Sequence, residues 1–337
     1  MSIWKNKDLF IIAEIGGNHE GNFEYAKKLT HLACSSKAHT IKYQVYTGDT
    51  LVSPVESPDR NKHFKKFELS QDQFIELSNI CRSYDKDFSV SVWNPDSVDW
   101  IDPLVTYYKI GSGDMNCYPV IDKFIAKKKP IVISTGLANE QEVIEVIQYI
   151  QNSDDFYKSP DNLAVLQCNS MYPTPDEDIN LKTIRKYQEL FPEVTVGYSD
   201  HSLDTLAAMT SIALGAKIIE VHFTDSREGK TFRDHLVSFT KDEIDQLYTD
   251  GLRIQKQLGS PLKQPTKSEI ESGHVTSFRR AVYFNKDLPE GHTIQIEDLC
   301  FLRPCHGIPA KDWKKLIGKR IKHNTKAFTK ISKDNLL

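Results

Sequence analysis

Two histidines lie just past predicted β-strands, and their residue type suits a metal centre. His201 closes the run Val-Gly-Tyr-Ser-Asp-His, and His222 lies within Ile-Ile-Glu-Val-His-Phe-Thr-Asp. A helix-like segment, Leu203–Leu214, separates them. If the two strands are parallel neighbours, both imidazoles meet at one end of a sheet, where they can bind a divalent ion and leave positions open for water and substrate. A structural role for both histidines is the alternative.

Two lysines lie inside apolar strand-like runs. Lys42 is flanked by Ile41 and Tyr43, and Lys109 lies in Tyr-Tyr-Lys-Ile-Gly. A buried ammonium group is costly unless it meets an anion, so two converging lysines predict a shared anion site, whereas outward-facing surface lysines are the alternative. Hydroxyl groups near the ends of other predicted strands could complete the hydrogen bonds of a bound phosphate; they belong to Ser112, Ser134, Ser170 and Ser199.

A carboxylate ends the first predicted strand. Glu14 either pairs with one of the strand lysines or acts as a general base beside a bound water. His19 follows it in a loop and is interpreted as a loop-ordering residue.

Short β-rich runs alternate with helix-like segments and would position these side chains. The predicted strands are Leu9–Ile15, Thr40–Val45, Asp87–Val92, Tyr107–Ile110, Pro130–Ser134, Leu163–Gln167, Val194–Gly197 and Ile218–Val221. The predicted helices are Glu24–Ser36, Gln71–Tyr84, Asp96–Asp102, Pro119–Lys128, Glu140–Gln151, Thr183–Phe191, Leu203–Leu214 and Lys241–Gly259, with Ser70 and Thr240 as candidate N-caps. Eight strand–helix units predict a TIM (β/α)8 barrel, whose working residues sit at the carboxyl ends of the strands. A doubly wound open sheet is the alternative, but the sequence contains no Gly-x-Gly-x-x-Gly loop.

The character of the chain changes after the last predicted barrel helix. Turn-forming residues fill the run from Gly259 to Thr266, and short β-runs such as Arg280–Phe284 follow. This predicts a barrel domain over residues 1–260, a linker over 261–276 and a small β-rich domain over 277–337. So small a domain is near the lower limit of independent stability and would gain from packing on the barrel or on a second subunit.

The bulk composition is that of an ordinary globular protein. The net charge is −3 and 39% of residues are hydrophobic, so nothing favours nucleic acid or an anionic membrane as a partner. No signal peptide or membrane-spanning run is recognisable. The six cysteines form no Cys-x-x-Cys, which favours reduced thiols in a cytoplasmic protein.

Taken together, the strand-end sequences resemble the sialic acid synthase family, which includes N-acetylneuraminate, legionaminate and pseudaminate synthases. The matching barrel strings are Ala-Glu-Ile-Gly-Gly-Asn-His-Glu-Gly from Ala13, Ile-Lys-Tyr-Gln from Ile41, Tyr-Lys-Ile-Gly-Ser-Gly-Asp from Tyr108, Ile-Ser-Thr-Gly from Ile133, Tyr-Pro-Thr-Pro from Tyr172, Gly-Tyr-Ser-Asp-His-Ser from Gly197 and Glu-Val-His-Phe-Thr from Glu220. Two later strings, Phe-Arg-Arg-Ala-Val-Tyr from Phe278 and Arg-Pro-Cys-His-Gly-Ile from Arg303, resemble the family's antifreeze-like (SAF) domain. The resemblance runs in order over almost the whole chain.

The resemblance implies a reaction. Phosphoenolpyruvate condenses with an N-acylated amino sugar, either N-acetylmannosamine or a 2,4-diacetamido hexose. The products are a nine-carbon 2-keto acid and phosphate, with cleavage of the C–O bond. It also implies a divalent metal (Mn²⁺ first, then Mg²⁺ or Co²⁺) and a homodimer with swapped C-terminal domains.

The resemblance also implies roles for individual residues. His201 and His222 would hold the metal, and Glu14 would act as acid/base near the water that attacks C2. The phosphoenolpyruvate site would comprise Lys42, Lys109, Ser91, Ser112, Ser134, Ser170 and Ser199. The sugar site would comprise Gln44, Asp114, Tyr172, Asp234 and, from a neighbouring subunit, Arg303.

Three departures from the family pattern touch the substrate side. Ser91-Val92-Trp93 replaces the usual Ser-Thr-Pro-Phe, Asp114 stands where Glu is common, and the loop Glu228–Arg233 replaces a Pro- and Gly-rich one. A metal-dependent TIM-barrel aldolase or epimerase is the alternative function. A Schiff-base aldolase, however, would need a desolvated lysine with no anion near it. A binding module with an inert barrel is a further alternative.

Overall fold

The computed structural model describes residues 3–337. The chain divides into two compact units, one ending at Gly259 and the other spanning Ser260–Leu337. The six cysteines are all free thiols. Within the described residues, no helix combines the length and apolar character needed to cross a bilayer.

The first unit contains a closed barrel of eight parallel strands in sequential order. The strands are β1 (Phe10–Glu14), β2 (Thr40–Val45), β3 (Asp87–Val92), β4 (Tyr108–Ile110), β5 (Ile131–Ser134), β6 (Leu163–Cys168), β7 (Thr195–Asp200) and β8 (Ile218–His222). β1 pairs with β8 and closes the barrel, with Glu14 in register with His222. The predicted TIM (β/α)8 barrel is confirmed.

Helices surround the barrel and follow the sequence prediction closely. They are α1 (Phe23–Cys34), α2 (Gly48–Leu51), α3 (Pro58–Lys66), α4 (Gln71–Ser83), α5 (Val98–Ile101), α6 (Tyr118–Lys127), α7 (Glu140–Ser153), α8 (Lys182–Leu190), α9 (Leu206–Ala213) and α10 (Lys241–Leu258). Ser70 and Thr240 cap α4 and α10 through capping boxes, as predicted.

The helices differ from the prediction at three places. The helix predicted from Leu203 begins at Leu206, because the Asp204 carboxylate accepts from the Leu206 amide and forms a turn first. The helix predicted over Asp96–Asp102 is broken into α5 and two flanking 3₁₀ turns. Helices α2 and α3 were not predicted: they lie between β2 and α4, and α3 lacks the apolar stripe that marks a core-facing helix.

Side chains alternate between the two faces of each strand, and this alternation positions the site. Ile12 and Ile218 point into the barrel and belong to an apolar cluster in its interior, which also contains Phe10, Tyr107 and Leu166. Two residues further along each strand, on the same face, the side chains become ionisable: Glu14 follows Ile12, and Glu220 then His222 follow Ile218. Apolar side chains therefore fill the interior of the barrel, and ionisable side chains line it at the carboxyl end of the strands.

The second unit is small and β-rich, as predicted. Strands β9 (Ala281–Phe284) and β10 (Leu299–Leu302) pair antiparallel over a core that includes Val282, Phe284 and Ile321. Two short helices, α11 (Lys267–Glu271) and α12 (His274–Ser277), occupy about half of the segment predicted as a linker. The unit carries 15 Lys and Arg against 8 Asp and Glu, whereas the first unit carries 28 against 38. The two units thus have formal charges of opposite sign.

Candidate active site

A cavity of about 1080 Å³ opens at the carboxyl end of the barrel. Most of the predicted site residues line it: Glu14, Lys42, Gln44, Ser91, Lys109, Ser112, Asp114, Ser134, Ser170, Tyr172, Ser199, His201 and Asp234. His222 is buried beside His201, with ring centroids 5.2 Å apart. The eight strands therefore bring together side chains that are up to 220 residues apart in sequence, such as Glu14 and Asp234.

Four buried charges form the floor of the cavity. Lys42 Nζ lies 2.5 Å from a Glu14 oxygen and 3.7 Å from Glu220, and Lys109 Nζ lies 3.1 Å from Glu220. All four side chains are at most 6% exposed. Because an isolated buried charge is strongly unfavourable, this charge cluster (Glu14, Lys42, Lys109, Glu220) holds together only as paired ions.

The neighbours of Glu14 keep it ionised. Burial raises the pKa of its carboxyl, but Lys42, His222 and Lys109 outweigh that effect and lower the pKa to about 2. Gln44 donates to the second Glu14 oxygen at 2.8 Å. Glu14 therefore pairs with a strand lysine, which is one of its two predicted roles, and its role as a general base stays a prediction.

Glu220 was not predicted as a site residue. It accepts from Ser199 Oγ at 3.0 Å and bridges the two lysines, while its Oε2 has no hydrogen-bond partner among the described residues. The signal was present in the sequence: a glutamate within Ile-Ile-Glu-Val is as costly to bury as a strand lysine, and it lies two residues before His222 on the same face.

Hydroxyl groups cluster next to the charges. Lys42 donates to Ser91 Oγ at 3.3 Å, and Ser134 Oγ is buried with no partner in the described part of the chain. Ser112 Oγ accepts from the Gly136 amide at 3.0 Å. A Cβ at Gly136 would collide with the hydroxyls of both Ser112 and Ser170, so glycine is required for these two side chains to approach. An unpartnered hydroxyl and two ammonium groups are donors suited to an oxyanion ligand.

The two histidines fit a divalent ion. His201 Nδ1 lies 2.5 Å from the Asn169 carbonyl oxygen; a carbonyl only accepts, so Nδ1 carries a proton and Nε2 is the nitrogen left to bind a metal. His222 Nδ1 is buried without a hydrogen-bond partner in residues 3–337. The same residues contain no cluster of three or more His, Cys, Asp or Glu able to hold a metal. An ion bound by the two imidazoles would therefore complete its coordination with water or substrate oxygens.

The predicted sugar-site residues line the cavity, with one exception. Tyr172 stacks on His201 with ring centroids 4.0 Å apart, and the Arg233 guanidinium lies 4.9 Å from the centroid of the Tyr172 ring. Arg233 Nε donates to Asp234 at 3.2 Å. Burial raises the pKa of Asp114 to about 6. The exception is Arg303, which belongs to the second unit, where its guanidinium lies 5.7 Å from the centroid of the Phe278 ring.

Comparison with known proteins assigns the family. Residues 29–263 match the NeuB family and residues 279–337 match the SAF domain. The N,N'-diacetyllegionaminic acid synthase of Legionella pneumophila is 33% identical, over 96% of this chain and 93% of that protein. The N-acetylneuraminate-9-phosphate synthase of Homo sapiens is 31% identical, over 93% of this chain and 88% of that protein.

A solved structure agrees with both the fold and the family. The N-acetylneuraminic acid synthetase of Leptospira borgpetersenii superposes with a TM-score of 0.73 at 28% identity, covering 80% of this chain and 92% of that one. The resemblance drawn from the strand-end sequences is confirmed. The chain belongs to the NeuB family, carries a C-terminal SAF domain and is an enzyme of the transferase type.

Proposed function

We propose that the enzyme condenses phosphoenolpyruvate with an N-acylated amino sugar, either N-acetylmannosamine or a 2,4-diacetamido hexose, to give a nine-carbon 2-keto acid and phosphate. The observation that carries the proposal is the buried charge cluster, with its unpartnered serine hydroxyl, lying in one cavity with two adjacent histidines. Family membership supports the same reaction.

The two lysines suit the two anionic ends of phosphoenolpyruvate. In the free enzyme each lysine is paired with a carboxylate, and each lies on a different strand, so a phosphate and a carboxylate can each meet a cation. The phosphoenolpyruvate residues are Lys42, Lys109, Ser91, Ser112, Ser134, Ser170 and Ser199. Glu220 holds both ammonium groups and the Ser199 hydroxyl in place before the ligand arrives.

The bond changes balance as follows. The C3 carbon of the enol attacks the aldehyde carbon of the open-chain sugar, and the aldehyde oxygen takes up a proton. Water adds to C2 and gives a proton to ionised Glu14. The C2–O bond to phosphate then breaks, phosphate leaves with its bridging oxygen, and the remaining C2 hydroxyl loses its proton to form the ketone.

A divalent ion, Mn²⁺ first and Mg²⁺ or Co²⁺ as alternatives, would be held by His201 and His222 and would polarise the sugar aldehyde. Because an enol is a weak nucleophile, alignment of the two substrates supplies much of the rate. Gln44, Tyr172, Asp114 and Asp234 orient the sugar above the bound enol.

Assembly is part of the proposal. Exposed apolar side chains follow four adjacent barrel strands at the cavity end: Leu137, Met171, Leu203, Leu206 and Leu236. The SAF unit is positive and the barrel unit is negative. These features support a homodimer in which each SAF unit covers the partner's barrel and brings Arg303 to the sugar.

Phosphate release tests the proposal. Purified enzyme with phosphoenolpyruvate and Mn²⁺ should release phosphate only when an N-acyl amino sugar is present, and mass spectrometry should detect the nine-carbon keto acid. Lys42→Met should lower the rate at least about tenfold, because a charge-assisted contact contributes roughly 1.5–3 kcal/mol. Product formation without phosphoenolpyruvate would instead support a metal-dependent aldolase or epimerase.

A further inference from the structure

Helix α3 presents one face to the cavity, although it is not an element of the barrel. Arg60, His63 and Phe64 of α3, and Phe67, which caps its C-terminus, recur at the spacing of one helical face, and all four line the cavity. Two of the four are phenylalanines. A helix with no apolar stripe for the core thus contributes aromatic rings to the site.

These rings join others in two groups, which meet through His63: its ring centroid lies 5.6 Å from that of Phe64 and 4.6 Å from that of Phe67. Trp93 stacks on Tyr46 with centroids 5.0 Å apart and meets the Phe64 ring edge-on at 6.3 Å. Phe67 packs against Phe232 at 5.0 Å. These rings line the cavity, and we call five of them the aromatic wall: Tyr46, Phe64, Phe67, Trp93 and Phe232.

The aromatic wall is built before any ligand binds. Asn61 is buried and donates to the carbonyls of Gly48 and Val52 at 2.9 and 2.8 Å, which ties α3 to the segment before it. Phe232 lies over Gly17 so closely that a Cβ there would be 3.1 Å from the ring. Gly17 follows β1 by three residues, so the wall begins immediately above the strand that carries Glu14.

The charges around the wall do not suit a phosphate. In residues 3–337 the buried cations are Lys42 and Lys109, and both are paired on the cavity floor. Arg233 donates to Asp234, and Arg60 is exposed over the Phe64 ring. A sugar phosphate would need converging cations, whereas an acyl group can present its methyl to the rings and its carbonyl oxygen to Trp93 Nε1, a buried donor with no partner among the described residues.

We infer, resting on the proposed function, that the aromatic wall receives the part of the acceptor sugar beyond C3, away from its aldehyde, and that this part carries an acyl group with an apolar methyl. An acyl methyl gains both burial and close contact against aromatic rings. The acceptor class is therefore a hexose with a second N-acyl group, as in a 2,4-diacetamido hexose, in preference to N-acetylmannosamine or its 6-phosphate.

A panel of acceptors tests the inference. With saturating phosphoenolpyruvate and Mn²⁺, kcat/KM for 2,4-diacetamidomannose should exceed that for N-acetylmannosamine and for N-acetylmannosamine 6-phosphate by at least about tenfold, the discrimination that one apolar group gives in a fitted pocket. Phe232→Asn and Phe64→Asn should each raise KM for the diacetamido acceptor about tenfold and leave KM for phosphoenolpyruvate unchanged. Phe232→Leu, which stays apolar, should retain most of the preference.

Tyr84→Asn is the matched control, since Tyr84 is a 42%-exposed ring in the loop before β3, at the opposite end of the barrel. It should change neither KM. Higher kcat/KM for N-acetylmannosamine or its 6-phosphate, or equal losses with all acceptors in the wall variants, would overturn the inference and leave the proposed function intact. Absence of phosphate release with every acceptor would overturn both.

Discussion

Replacing Glu220 by glutamine should destabilise the free enzyme strongly. The carboxylate lies 3.1 Å from Lys109 Nζ and 3.7 Å from Lys42 Nζ, and all three side chains are at most 4% exposed. The substitution leaves two buried ammonium groups with one carboxylate, a change that typically costs about 3–5 kcal/mol. For a domain of this size the melting temperature should fall by roughly 2–4 °C per kcal/mol.

Calorimetry of Glu220→Gln, Lys109→Met and the double variant measures the effect. The double variant removes one charge of each sign, so it should lose less stability than the two single losses added together. Glu193→Gln, an exposed glutamate before β7, is the control and should leave the melting temperature unchanged. A loss below about 1 kcal/mol in Glu220→Gln, or strict additivity in the double variant, would refute the paired-ion account.

Three further predictions concern metal, assembly and pH. His201→Ala and His222→Ala should each abolish turnover in folded protein, and chelator-treated enzyme should regain activity with Mn²⁺; full activity in excess chelator would contradict this. Mixing Arg303→Ala chains with His222→Ala chains should restore activity, because a swapped dimer then contains one intact site; heterodimers without activity would exclude the swap. Since burial raises the pKa of Asp114 to about 6, use of the sugar should decline as pH falls below that value, and Asp114→Asn should lack this step. The folded-state pKa of Asp114 exceeds the ordinary value of 3.8, so Asp114 should make the free energy of unfolding fall as the pH rises from 3.8 to about 6. Melting curves of the wild type and Asp114→Asn, compared over that pH range, measure this effect.

The barrel could be predicted because short apolar runs alternate regularly with helical segments, and each run ends in polar residues. His201 and His222 stood out for the same reason: a strand end fixes the direction of the side chain that follows it. Helix α3 could not be predicted, since its nine residues are almost all polar and its position depends on the buried contacts of Asn61. The pattern of residues along the chain does not predict such tertiary contacts.

Glu220 shows a second reason why part of the site could not be predicted from the sequence. Its residue type and position were visible, but the pairing of both lysines with one carboxylate depends on the closure of the barrel, which brings β8 beside β1 and across from β4. From the sequence, the two lysines were expected to bind an anionic ligand, with Glu14 as a possible partner of one of them. The structure shows that both lysines also pair with Glu220 before a ligand binds.

The fate of the bridging oxygen of phosphoenolpyruvate tests the central claim most directly. Phosphoenolpyruvate labelled with ¹⁸O between C2 and phosphorus is turned over with an N-acyl amino sugar, and the ¹⁸O content of both products is measured by mass spectrometry. The account predicts that the label leaves entirely with phosphate and that the keto-acid carbonyl takes its oxygen from water. Label retained in the keto acid, or a keto acid formed without phosphate release, would contradict it.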